Sequence, residues 1–90
     1  MSQSSTDEKW QKLCNLTQQI NDFEEKEDFP NALQITGKTI GYMEFLIEEG
    51  NLHIEDVQYL EKQVKSFNNK ADYLKSLLMK VIFFLITMIQ

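Results

Sequence analysis

From Val57 to Met88 the apolar residues Val57, Leu60, Val64, Phe67, Ala71, Leu74, Leu78, Val81, Leu85 and Met88 follow one another at alternating steps of three and four. That spacing lines them up on one stripe of an α-helix and would scatter them over both faces of a strand. The seam lasts for more than four heptads, so it must be covered by other helices of the chain or by a second copy in a coiled coil. Two shorter amphipathic stretches precede it, which favours an intramolecular bundle.

In the first stretch Trp10, Leu13, Leu16 or Thr17, Ile20 and Phe23 advance by three or four, with Lys9, Lys12, Gln18, Asn21, Asp22 and Glu25 turned towards water. Ser5 and Glu8 form an S-x-x-E capping box, which predicts a helix start near Thr6 after a disordered segment 1–5. The run Asp22 to Asp28 carries five acids and one lysine and reads as a solvated helix end passing into a turn. At Asp28-Phe29-Pro30 a helix restarts, because proline has the φ of a first turn and lacks only an amide hydrogen that would be unpaired there.

The second helix is expected from about Pro30 to Glu49. Ala32, Leu33, Thr36, Ile40, Met43 and Ile47 form its stripe, and Ile35, Tyr42 and Leu46 widen it enough to touch two neighbours, the mark of a middle helix. Gly37 and Gly41 share a face, where they either let another helix approach closely or are tolerated as a flexible pair. Gly50-Asn51 reads as a left-handed C-cap, and the third helix should restart after His53 with Glu55 and Asp56 in its first turn. Together these signals define an all-α, three-helix antiparallel bundle over residues 6–78, followed by an apolar C-terminal extension of the third helix over 79–90.

Composition narrows what such a bundle could do. Ninety residues make one small domain, with little room for a deep catalytic cleft. Fourteen acids face nine basic residues, all lysine, giving a net charge of −5 and no basic patch for nucleic acid. An acidic surface suits a basic protein partner, or simple solubility. Cys14 is the single cysteine and His53 the single histidine, so no intrachain disulfide, zinc site or Cys/His nucleophile is expected. Cys14 is read as a small core filler, and His53 as a capping or exposed residue.

No glycine-rich phosphate loop occurs, and the carboxylate pairs Glu24/Glu25 and Glu48/Glu49 fall at helix ends where nothing would raise a pKa. No cofactor, metal or enzymatic activity is therefore expected. The polar, acidic N-terminus is unlike a signal peptide, which makes a cytoplasmic location the expectation. Binding through helix faces remains, in grooves between the first and third and between the second and third helices. On the exposed face of the third helix the candidates are Glu61, Lys65, Asn68, Asn69, Asp72, Tyr73 and Ser76, against the alternative of an ordinary solvated face.

From Leu77 to Ile89 the only charge is Lys80, and the segment is apolar all round. Thirteen residues reach about 20 Å, short of the roughly 30 Å of a bilayer core. Self-association through residues 78–89, a partial membrane anchor, and a non-native or truncated terminus are the readings of this stretch, with self-association preferred. A small helical immunity or regulatory protein, acting at a membrane or as a homo-oligomer, is the alternative function it suggests.

Three segments in order carry a family resemblance. Trp10-Gln-Lys-Leu-Cys-Asn-Leu, then Asp28-Phe29-Pro30-Asn31-Ala32-Leu33 with Ile40-x-Tyr42, and finally Phe67-Asn-Asn-Lys70-Ala71-Asp72-Tyr-Leu74-Lys75 resemble the MIT (microtubule interacting and trafficking) domain over about residues 8–78. The resemblance implies a three-helix bundle that binds short C-terminal tail motifs of ESCRT-III-type proteins and recruits an attached effector to endosomal or division-site membranes. One class of tail would lie as a helix in the groove between the second and third helices, and an extended class between the first and third. By position, Ala71, Asp72 and Ser76 would line the former groove, with Tyr42 and Phe45 contributing from the second helix. The chain departs from the pattern after Phe67, where Asn68 and Asn69 stand in place of the family's frequent Leu-Asp. Asp72 is then the main acid left to meet a basic residue of the ligand.

Overall fold

A computed structural model describes the backbone of residues 2–89 and the side chains of residues 7–89. It is an all-α, three-helix bundle: α1 (Ser2–Glu25), α2 (Phe29–Glu49) and α3 (Ile54–Ile89). Two reversals place α1 and α3 parallel to each other and antiparallel to α2. The molecule is a rod of 60 × 20 × 15 Å, because the 36 residues of α3 far outrun the other two helices.

Each reversal is set by local backbone chemistry. At the end of α1, Asp28 N–H donates to the Phe23 carbonyl (2.8 Å) and Glu27 N–H to the Glu24 carbonyl (3.0 Å). This is the Schellman pattern, and it requires a left-handed residue at Glu27, whose φ is 58°. Pro30 stands in the first turn of α2, and the Asp28 carboxylate accepts from Asn31 Nδ2 (2.7 Å). Gly50 ends α2 in the left-handed region at φ 73°, as its lack of a Cβ allows, and Glu55 and Asp56 open α3.

α1 begins at Ser2, four residues before the expected start, so the segment expected to be disordered continues the helix from residue 2. Once a helix is anchored, each added residue gains a backbone hydrogen bond at low cost, and the polar N-terminal sequence has no breaker. Ser5 therefore lies inside the helix, and its side chain, with the capping box it was to form, falls outside the described residues.

α2 is the middle layer. It packs against both neighbours, whereas no α1 Cα comes within 8 Å of an α3 Cα among the described residues. Leu13 and Ile20 of α1, Ala32, Met43 and Leu46 of α2, and Leu60, Ala71 and Leu74 of α3 form the core. Full burial of a leucine or isoleucine contributes about 1.5–3 kcal/mol, so Ile20, Leu46, Leu60 and Leu74 dominate the packing energy. Thr36 and Thr39 are also buried, each with its hydroxyl donating to a carbonyl one turn back, Ala32 at 2.7 Å and Ile35 at 2.8 Å. No buried polar side-chain atom is left unpaired among the described residues.

Gly37 and Gly41 resolve to the second of their two readings. A Cβ built at either would meet nothing within 4 Å, so no helix closes on them, and they lie on the exposed side of α2. The seam of α3 is buried or half-buried from Val57 to Leu78, and Val81, Leu85 and Met88 are exposed. α1 and α2 end where the seam loses its cover.

Candidate functional site

Because α1 and α3 stay apart, α3 is flanked by an open groove on each side. The α1/α3 groove, of about 280 Å³, has Leu13, Met43 and Leu60 at its base and Trp10, Cys14, Thr17, Tyr59 and Phe67 along its walls, completed by Thr39 and Gln63. It is bridged at two points along its length. Trp10 and Tyr59 meet edge to edge with ring centroids 6.3 Å apart, and Lys70 Nζ pairs with Glu24 Oε1 at 2.7 Å. Both contacts span a gap that only long side chains cross.

The α2/α3 groove, of about 300 Å³, is shorter and more polar: Ile47 and Val64 form its apolar strip, and Glu44, Glu48 and Glu61 border it. All three carboxylates are exposed, and none of them is ion-paired among the described residues. An apolar strip between unpaired acids can take aliphatic side chains from one face of a helix and basic side chains from its edges.

The sequence-nominated residues divide between these surfaces. Glu61 lines the α2/α3 groove, and Lys65, Asn68 and Asp72 follow it at steps of four, three and four along the exposed flank of α3. Ala71 is buried in the core beneath that flank. Ser76 lies beyond the bundle, beside Met79, Lys80, Phe83, Phe84 and Thr87 on a shallow apolar surface of the projecting helix.

Tyr42 faces α1 instead of α3. Lys12 Nζ sits 4.3 Å from its ring centroid, a cation–π contact, and Phe45 stacks on it at 6.4 Å with the planes 21° apart. Partial burial raises the Tyr42 pKa above 10.0, with Lys9 opposing and Glu49 reinforcing the shift. Tyr42 and Phe45 are thus absent from the lining of the α2/α3 groove, since helix geometry carries positions 42 and 45 round to the other side of α2 from Glu44 and Ile47.

Two groove acids, Glu44 and Glu48, escaped nomination. Their one-turn spacing around Ile47 is visible in the sequence, but only the packing of α2 on Val64 reveals that they overlook α3. Cys14 corrects the core-filler expectation: it is exposed and lines the α1/α3 groove. It lies about 100° round α1 from buried Leu13, on the flank that would be covered only if α3 touched α1.

Among the described residues no cluster of three or more metal-ligating side chains occurs, and no helix is long and apolar enough to cross a membrane. Comparison with protein-family models, curated proteins and solved structures gives no match for this chain.

Proposed function

We propose that this chain is a non-catalytic interaction module, similar to MIT domains, that captures short tail motifs of ESCRT-III-type proteins beside α3 and so brings an attached effector to endosomal or division-site membranes. The observation that carries the reading is the separation of α1 from α3, which leaves both flanks of α3 open. In this reading the α2/α3 groove takes a helical tail: its aliphatic side chains lie on Ile47 and Val64, and its basic residues meet Glu44, Glu48 and Glu61. The acidic rim takes over the role left open by Asn68 and Asn69, with Asp72 extending it along the exposed flank. The apolar α1/α3 groove suits an extended segment.

Trp10 is the only tryptophan and lines the α1/α3 groove alone, so its emission reports which groove is used. A basic amphipathic tail peptide should bind with a Kd on the order of tens of micromolar, as suits an interface below the standard size, without changing Trp10 emission. Reversing charge in a Glu48→Lys/Glu61→Lys chain should weaken binding by about tenfold, and added salt should weaken it in the native chain. Equal binding by both chains would remove the acidic rim from the account.

A further inference from the structure

Past Leu78 the third helix leaves the bundle, and nine large apolar side chains between Met79 and Ile89 are 48% to 85% exposed. They do not form a stripe. With residues about 100° apart, the seam positions Val81, Leu85 and Met88 share one side, while Phe83, 72% exposed, points to roughly the opposite side, with Phe84 and Ile86 on the flanks between. A two-stranded coiled coil would cover the seam and leave Phe83 in water, so pairing with one other copy does not account for the pattern.

Three further observations bear on what surrounds this helix. Residues 79–89 span about 16 Å, comparable with one leaflet of a roughly 30 Å hydrocarbon core. The only polar side chain beyond Lys80 is Thr87, and its hydroxyl donates to the Phe83 carbonyl at 2.8 Å, so it carries no unmet hydrogen bond into an apolar medium. Charge is also divided along the chain: from Tyr73 to Ile89 there is no acid, and Lys75 and Lys80, both exposed, are the only charges. Those two lysines lie at the neck, where phosphate headgroups would meet them.

We infer that the projecting end of α3 inserts into the outer part of a lipid bilayer, with Phe83 and Phe84 among the acyl chains and Lys75 and Lys80 at headgroup depth. The acidic turn of Glu24, Glu25, Glu27 and Asp28 lies at the same end of the bundle, next to Lys70, and opposes strong attraction to anionic lipid. Insertion is therefore driven by apolar burial and holds on zwitterionic membranes.

The full chain, incubated with phosphatidylcholine vesicles with and without phosphatidylserine, tests this by flotation. It should float with both, and a Phe83→Glu/Phe84→Glu chain should lose binding by on the order of 100-fold while keeping its helical content and melting temperature, since neither ring touches the bundle. An environment-sensitive fluorophore on a Cys14→Ser/Phe84→Cys chain should shift to the blue only when vesicles are added. Failure of the native chain to float, equal flotation of the double-glutamate chain, or a fluorophore already shielded without lipid in a self-associated species would each overturn the inference. The last of these would assign the segment to other copies of the chain.

Discussion

Glu27 adopts a left-handed conformation that a side chain with a Cβ enters at a cost, and the Schellman hydrogen bonds around it hold it there. Glu27→Gly should therefore raise stability by up to about 1 kcal/mol, read as a higher melting temperature; an unchanged or lower value would mean that the turn is not strained. The same position shows why the first turn was only half legible. The acid run signalled a helix end, but glutamate at the left-handed position gives no local sign, whereas Gly50 announced the second reversal by its identity. Thr39 was missed as a core residue for a related reason: its hydroxyl is satisfied by the Ile35 carbonyl, so a polar letter in the sequence acts as a small buried spacer. Cys14 failed in the other direction, an apolar letter left uncovered because its potential neighbour stays out of reach.

The helices themselves were legible because their stripes are long. The α3 seam identified the element and its inward face, and Leu60, Ala71 and Leu74 are buried where it placed them. Periodicity carries no information about where the covering helices stop, and the seam therefore reads the same through Leu74 and Leu85. Leu74→Ala should cost about 2–5 kcal/mol in denaturant unfolding, and Leu85→Ala less than about 0.5 kcal/mol, despite equivalent heptad positions. A large loss at Leu85 would show that its segment is packed within the bundle. In α2 the glycines face open space inside a regular helix, so Gly37→Ala and Gly41→Ala should each stabilise by about 0.5–1 kcal/mol. A loss on either substitution would indicate a close approach on that face.

Across the whole molecule, two layers of consequence follow from α2 being the only helix that packs on both others. The bundle core is narrow, and the parallel pair α1 and α3 is joined at the surface by the Lys70–Glu24 and Trp10–Tyr59 contacts, with grooves left open beside α3. The exposed ion pairs add at most about 1 kcal/mol each, so they set spacing more than stability. The middle position of α2 and the existence of two grooves could be read from its wide apolar stripe. Which acids border which groove could not, because that depends on how α2 is rotated against α3, and a rotation of one residue's arc separates Glu44 from Phe45.

The central claim is that the acid-bordered strip between α2 and α3 is a docking groove for a basic helical tail. Titrating a basic amphipathic tail peptide into isotopically labelled full-length protein and following backbone amide shifts tests it residue by residue. The account predicts saturable shifts concentrated at Glu44, Ile47, Glu48, Glu61 and Val64, extending towards Asp72, with Trp10 and Cys14 unmoved. Absence of shifts at millimolar peptide, or shifts confined to the α1/α3 groove, would contradict it.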